Sequence, residues 1–287
     1  MPLGEVRSGP GAVPVASRSM CPLVVASFNV HGGVDGYGRP FDVVAACREL
    51  DADVLVLQES WTPASGESLA GGVGLALGYR VEELAFTRAR LSVPPASAVL
   101  PSSWGPLLVQ RGHYGLRVGE GRQRRPPSSP GAVPVVHGTW GLALLSRVPV
   151  RSTSTLDLGQ LRRDPARRGA ITVDIDVDGG LLRVIGTHLS HLSHGSVVQL
   201  RTLHRLISEP GTPAVLAGDM NMWGPPLSAQ LPGWSRVVRG RTWPSWRPVA
   251  QLDHILVTRG VKTVGAGEVV PVRDSDHRPV RARLTLL

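Results

Sequence analysis

Short apolar runs recur along the chain, and most of them stop at a side chain carrying an amide, a carboxylate or an imidazole. Leu23-Val-Val-Ala-Ser-Phe28 is rich in strand formers and ends at Asn29, ahead of the turn-forming Val30-His-Gly-Gly33. Phe41 to Leu50 has helical spacing, with Phe41, Val44, Ala45 and Leu50 apolar. Asp51-Ala-Asp-Val-Leu-Val-Leu57 then leads into a second buried strand closed by Gln58-Glu59. Strand, helix and strand in succession predict a layered α/β unit whose strands finish in residues able to bind a cation. Gly78 to Phe86 predicts a further strand.

From about residue 88 to 137 the pattern breaks into prolines, glycines and the cluster Arg122-Gln-Arg-Arg125, which predicts a long insertion or loop. Arg122, Arg124 and Arg125 are able to meet phosphates, although a short basic run in such a loop is more often only solvated. Regular pattern resumes at Trp140 to Ser146, and the alternation of Ile171 to Val177 is that of a half-exposed strand. Asp178-Gly-Gly180 predicts a hairpin turn into Leu181 to Gly186 and then Thr187-His188. Gly195 to Ile207 predicts a helix with Val198, Leu203, Leu206 and Ile207 as its apolar face, stopped by Pro210-Gly211. Val215 to Ala217 predicts a buried strand end, with Gly218 turning the backbone to present Asp219 and Asn221 where the sheet meets water. Leu252-Asp-His-Ile-Leu-Val257, Asp274-Ser-Asp-His-Arg-Pro279 and the short strand Val280 to Leu286 complete the chain, which has no internal repeat of useful period.

Composition changes this picture modestly. At 287 residues and 42% hydrophobic the chain is long enough for one large domain with a well-buried core, or for two small ones, and one is the expectation. A formal charge of +9 suits a polyanionic partner such as nucleic acid, a phospholipid surface or a phosphorylated metabolite. Lys262 is the single lysine, so the basicity is almost wholly arginine, and a coding bias explains it as well as a ligand does. Cys21 and Cys47 are too few for a disulfide framework, and Cys47 falls in a predicted helix, where a buried free thiol is the default. The first twenty residues lack the apolar core of a signal peptide, and no run of about 18 apolar residues occurs. A cytoplasmic location, no transmembrane segment and a monomer are the expectations. Residues 1–22 are expected to be dispensable, either a disordered tail or an over-long start before Met20, and residues 23–287 to form the domain.

Asn29, Glu59, His188, Asp219, Asn221, Asp253, Asp276 and His277 all lie at or near the ends of apolar runs. Singly, an Asp after a strand is usually a turn or a helix cap. As a set, in the order Asn, Glu, Thr-His, Gly-Asp-x-Asn, Leu-Asp-His-Ile and Ser-Asp-His-Arg-Pro, they resemble the endonuclease/exonuclease/phosphatase superfamily. Gly218-Asp-Met-Asn221 and Ser275-Asp-His-Arg-Pro279 are the most specific part, and the resemblance runs from about residue 23 to the C-terminus apart from 88–137. It implies a DNase I-like α/β fold, a four-layer αββα sandwich of two mixed β-sheets with outer helices and an active site at one edge. The pattern alone implies only α/β.

The resemblance implies a divalent-metal-dependent phosphoesterase. In-line attack of water on a phosphoester needs a base, charge neutralisation and positioning. Glu59, with Asn29 beside it, offers hard oxygen ligands for Mg²⁺ or Mn²⁺, one ion or two, and Asp276 is expected to contribute to the metal site. By matching positions, His277 is the candidate base and Asp253 accepts its second ring N–H. Asp219 is expected to position the water or serve the metal, Asn221 to bind a phosphate oxygen and His188 to stabilise the charged transition state. The His at 188, where the AP endonuclease branch usually has Tyr, points to the DNase, sphingomyelinase and phosphatase side. Nucleic acid is the leading substrate class. A small phosphorylated metabolite or phospholipid head group is the alternative, and a non-catalytic protein retaining the fold comes last.

Two features have competing readings. His188, His191 and His194 fall three apart, so a zinc site is conceivable, but loop or helix-start residues are the plainer account of the latter two. Trp243-Pro-Ser-Trp246 is similar to an aromatic-Pro-Ser segment found ahead of the Leu-Asp motif in many family members. Trp243 is able to stack on a base or sugar, and core or rim packing is its simpler use.

Overall fold

Alternate residues of a strand point to opposite faces, so a strand that is apolar at every position must be covered on both sides. In the computed structural model, residues 22–93, 115–119, 135–191, 193–208, 211–272 and 274–287 are described, with backbone only at 193 and 194. Cys21, Arg122, Arg124, Arg125 and the side chain of His194 lie outside the described residues, as do the expected tail up to residue 21 and most of the expected insertion.

The elements in chain order are β1 (Leu23–Asn29), α1 (Val43–Leu50), β2 (Val54–Pro63), α2 (Leu69–Leu77), β3 (Arg80–Ser92), β4 (Gly115–Val118), β5 (Val135–Ser146), β6 (Val150–Gln160), β7 (Arg167–Val177) and β8 (Gly180–His188), followed by α3 (Ser193–Ile207), β9 (Ala214–Asp219), α4 (Gly224–Gln230), β10 (Ser235–Arg236), β11 (Asp253–Val257), β12 (Val261–Thr263), β13 (Glu268–Val269) and β14 (Val280–Leu286). Two mixed sheets result. One runs β12-β14-β1-β2-β5-β3-β4 with β13 beside β14, and the other runs β10-β11-β9-β8-β7-β6. β1 with β2 and β8 with β9 are parallel, and the remaining pairs are antiparallel.

The alternation divides the interior into layers. Val25, Val54, Val56, Leu142 and Leu144 face Ile171, Val173, Val184, Val215 and Ile255 between the sheets. Their neighbours Ala26, Phe28, Leu55, Leu57 and Leu145 turn outward to meet Val43, Ala46, Cys47 and Leu50 of α1 and Val73 of α2. On the far side, Ile185, Leu216 and Leu256 meet Leu200, Leu203 and Ile207 of α3 and Leu227 of α4. The order is helices, sheet, sheet, helices, the expected αββα sandwich. Cys47 is free and buried, and burial pushes its thiol up to about 12. No helix among the described residues is long and apolar enough to cross a membrane.

Local chemistry explains where the elements begin and end. Asp42 caps α1 by accepting the Ala45 N–H at 2.9 Å, and Ser68 caps α2 through the Gly71 N–H at 2.8 Å. Asp178 and Gly179, with φ of 51° and 82°, form the expected two-residue turn between β7 and β8.

The structure departs from the sequence pattern in several places. α2, Leu-Ala-Gly-Gly-Val-Gly-Leu-Ala-Leu, carries three glycines that depress helix propensity, yet a Cβ at Gly74 would lie 2.3 Å from Val81, so close packing on β3 has a use for one of them. α4 opens on two prolines, which are tolerated in a first turn, and so reads as a loop in sequence. β6 is polar and mostly exposed; as the outermost strand it is held by its ladder to β7 rather than by an apolar face. The expected break at 88–137 starts too early and ends too late. β3 continues to Ser92 with Ala89 and Leu91 buried, β4 lies within the segment, and β5 begins at Val135. On α3, Val198 and Leu206 are exposed, and the buried stripe is Ser196, Leu200, Leu203 and Ile207, a spacing of four, three and four.

Gly218 is the most consequential correction. It does not turn the chain, because β9 runs through it to Asp219. Its φ is 155°, and a Cβ there would lie 2.0 Å from the carbonyl oxygen of Thr187 on β8. The glycine permits close approach of two neighbouring backbones. Gly218→Ala is expected to cost about 3 kcal/mol or more, read as a lowered urea midpoint, because strain and a backbone clash act together.

Candidate active site

Strand register delivers the polar side chains to one edge. Asn29 ends β1 and pairs with Gln58 of β2. Between Gln58 and Ser60 the register of β2 against β5 shifts, and at this irregularity Glu59 adopts φ 55° and stays half-buried. A bulge is a device for re-aiming a side chain, here towards the space between the sheets. In the other sheet His188 pairs with Asp219, and Asp219 with Asp253, so the three share one row across β8, β9 and β11. Asn221 follows at φ 48°, its N–H bonded to Asp219 Oδ1 at 2.8 Å. The loop before β14 is tied across the same edge. Ser275 Oγ donates to the Asn29 carbonyl at 2.7 Å, and Ser245 Oγ donates to the Ser275 carbonyl at 2.6 Å. That tie brings Asp276 and His277 in.

All eight expected residues therefore meet. His277 Nδ1 lies 2.9 Å from Asp253 Oδ2. Asp219 Oδ2 is 3.8 Å from His277 Nε2 and 3.7 Å from His188 Nε2. Asn29 Nδ2 donates to Asp219 Oδ2 at 3.1 Å and to Glu59 Oε1 at 3.3 Å, linking carboxylates of the two sheets. Asn221 Nδ2 lies 3.2 Å from His188 Nε2 and donates to the Leu189 carbonyl at 2.9 Å. Glu59, Arg168, His188, Asp219, Asn221 and His277 line a cavity of about 190 Å³, with Trp140 and His191 also on its wall.

Burial and neighbouring charge set the protonation states. Burial would lower the pKa of His277, but Asp253, Asp219 and Asp276 outweigh it and hold the imidazole well above its ordinary value. Asp219 is raised to about 7, first by burial and also by Asp253, against the opposing pull of His277. His188 is pushed well down by burial and by Arg168, so its ring is neutral. Asp276 is held low despite its burial by His31, whose Nδ1 lies 3.0 Å away, and burial likewise fails to prevent His31 from rising to about 9.

Asp219, Asp253 and His277 present ligand atoms within 4.8 Å of one another, a group that could hold a metal ion. Asp253 and His277 are already bonded to each other, whereas Glu59 and Asp219 are carboxylates drawn together by one amide. Hard oxygens of this kind fit a small divalent cation that keeps several waters. Asn29 spends its Oδ1 on the His31 N–H at 3.1 Å. Asp276, expected beside the metal, carries the ion pair to His31.

The sequence model of the Endonuclease/Exonuclease/phosphatase family matches residues 26–277. The chain belongs to this family. Family members of solved structure share its fold. An endonuclease/exonuclease/phosphatase from Beutenbergia cavernae is 24% identical with a TM-score of 0.61, the match covering 93% of this chain and 72% of that one. D. rerio TDP2 complexed with single strand DNA product is 16% identical with a TM-score of 0.55, covering 92% and 98%. A mannosyl-6-phosphatase from Bacteroides thetaiotaomicron is 14% identical with a TM-score of 0.58, covering 92% and 100%. No curated protein matches the chain significantly.

Within the family frame, some site residues had no signal of their own in the sequence. His31 follows Asn29 in what reads as a turn, and its φ of 46° points to the same local geometry. Arg168 is one of four arginines between 162 and 168, and only its place in the buried run of β7 separates it from Arg167, which is exposed. Of the three spaced histidines, His191 reaches the cavity wall beside His188. Trp243 is half-buried with its side chain bonded to Asp276, in line with rim packing.

The raised groups fix the sign of a pH dependence. His31 and His277 hold their protons more tightly folded than unfolded, so the stability they contribute is complete below about pH 6.5 and is lost as pH rises. Asp219, raised to about 7, acts in the same sense at lower pH. In chelator, the urea midpoint is expected to fall steadily between pH 6.5 and 9, with a shallower slope in His31→Asn.

Proposed function

We propose that this family member is a divalent-metal-dependent phosphoesterase that hydrolyses phosphodiester bonds, with nucleic acid as its substrate. The observation that carries the reading is the buried Asp253–His277 pair at 2.9 Å, opening on a cavity shared with Asp219, Asn221 and His188. Once it has given up the proton that Asp253, Asp219 and Asp276 favour, His277 takes the proton of the attacking water at Nε2, while Asp253 fixes the tautomer by accepting at Nδ1. Asp219, 3.8 Å from that nitrogen, orients the water. Asn221 turns the amide N–H that faces His188 Nε2 towards a phosphate oxygen, which releases the neutral His188 ring to add a hydrogen bond as charge grows. Glu59, with Asn29 beside it, would hold Mg²⁺ or Mn²⁺, which supplies Lewis-acid neutralisation of the phosphoryl oxygens.

The +9 charge favours a polyanion. A second cavity of about 630 Å³, rimmed by Arg88, Arg90 and His137, adds support. Its residues Gly119 and Thr139 adjoin Val118 and Trp140 of the active-site cavity, which suits a substrate extending beyond one phosphate. The structure of D. rerio TDP2 with single strand DNA product is consistent with that choice. The small volume of the inner cavity favours a second reading, a phosphorylated metabolite or phospholipid head group, and the mannosyl-6-phosphatase shows that the fold is used by such an enzyme.

Hydrolysis of bis(p-nitrophenyl) phosphate and nicking of plasmid DNA in Mg²⁺ or Mn²⁺ are the measurements. His277→Ala is expected to lose about a thousandfold in kcat/KM, and Asp253→Asn about ten- to a hundredfold. Full activity in both variants overturns the roles. A steep loss of substrate affinity with rising salt separates nucleic acid from a single-phosphate substrate.

A further inference from the structure

Away from the catalytic cavity, the first sheet changes character halfway along β5. On the face turned away from the second sheet, Ala143 and Leu145 are packed in the layer with the helices, whereas Thr139 is half-buried and His137 exposed. Strand register carries this polar face sideways. Arg90 of β3 pairs with His137 on one side and with Arg117 of β4 on the other. In the next row Arg88 pairs with Thr139, which in turn pairs with Thr62 of β2. Directly opposed residues point to the same face, and the intervening Ala89, Leu91 and Trp140 fill the core on the other. The cavity of about 630 Å³ opens on these rows, with Arg88, Arg90, His137, Thr62 and Thr139 in its lining and no Asp or Glu there among the described residues. It shares no lining residue with the catalytic cavity.

Like charges placed directly opposite each other in a ladder destabilise it, and Arg90 faces Arg117 with Arg88 two residues away. An anion set between them converts that repulsion into binding. The same stretch is unbalanced in sequence. Residues 88–137 hold seven arginines against one acidic residue, Glu120, so most of the formal charge of +9 comes from about a sixth of the chain. A coding bias towards arginine does not remove the acids from one segment. Geometry narrows the anion further. Arg88 and Arg90 stand about 7 Å apart along an extended strand, the scale of one nucleotide step in an extended single strand. Guanidinium groups match phosphate, and the Thr62 and Thr139 hydroxyls offer further bonds to phosphate and sugar oxygens. A recess in a sheet face admits one strand and not the plane of a bilayer.

We propose that this face is a docking surface for a single nucleic-acid strand, separate from the catalytic cavity, on which Arg88, Arg90 and Arg117 hold backbone phosphates. The inference rests on the nucleic-acid reading of the enzyme, and binding measured in chelator, without catalysis, keeps the two apart. The probe is a fluorescein-labelled oligodeoxythymidine of about 16 nucleotides, read by fluorescence anisotropy from about 50 to 200 mM salt. Wild type and His277→Ala are expected to bind it alike. Arg88→Gln with Arg90→Gln should bind about tenfold more weakly, and its slope of log affinity against log salt should be shallower by about 1.4, two phosphates at about 0.7 each. Arg205→Gln with Arg259→Gln removes the same charge from exposed positions outside this face and should bind as wild type does.

Unchanged affinity and slope in the Arg88, Arg90 double variant overturn the inference, even where wild type cleaves plasmid DNA. An equal loss in the Arg205, Arg259 variant also overturns it, because the attraction then belongs to net charge. A wild type that hydrolyses bis(p-nitrophenyl) phosphate but does not bind the oligonucleotide overturns it and leaves a phosphoesterase of small substrates. Vesicles of phosphatidylserine and phosphatidylcholine are the second probe, and a loss confined to them overturns it in favour of a membrane surface. Should the double variant fail to fold, Arg88→Glu alone, at an exposed position, carries the same comparison.

Discussion

The buried carboxylate of Asp219 ties the two sheets together at the edge where the chemistry sits. It receives the Asn29 amide from the first sheet, receives the Asn221 backbone N–H, and stands between His188 and His277. A buried carboxylate that is not fully compensated is expensive, and the expense appears as its rise to about 7. The fold can bear that strain because rigid strands on both sides leave the group nowhere else to go. A core of interdigitated Val, Leu and Ile holds those strands in register.

Around Asp219 the protein stores further local cost. Glu59, Asn221 and His31 all adopt positive φ without being glycine. Each lies just past the end of regular pairing or at a break in it, where a strained backbone aims a side chain into the shared space. Charge is handled in the same economical way. Asp276 is matched by His31 and Asp253 by His277. Asp164 is matched by Arg168, whose Nη1 has no partner among the described residues. What remains is a small cavity lined by the carboxylates of Glu59 and Asp219 together with cationic and neutral donors.

Much of this was legible in residue order. Runs such as Val54 to Leu57, apolar on both alternating faces, required cover on each side and hence layers. The motifs around Asp219 and His277 picked out residues nearly sixty positions apart that do meet. Other parts had no local signal. α2 and α4 are disguised by glycines and prolines, and polar β6 exists because β7 offers a ladder. On α3, Leu203 and Ile207 are buried as expected, but Val198 and Leu206 are exposed and Leu200 is buried, and only the neighbouring sheet decides among residues so alike in apolarity.

From its sequence alone, this chain could be assigned an α/β class, the set of eight polar residues at strand ends and a family resemblance that implied the sandwich, because hydrophobic periodicity and short motifs are local properties. The tertiary structure alone decided that Gly218 serves close approach of β8 rather than a turn, that Asp276 is partnered by His31, and that one arginine among several is buried in the site. Those outcomes depend on which backbones and charges become neighbours after folding, and chain order does not carry that information.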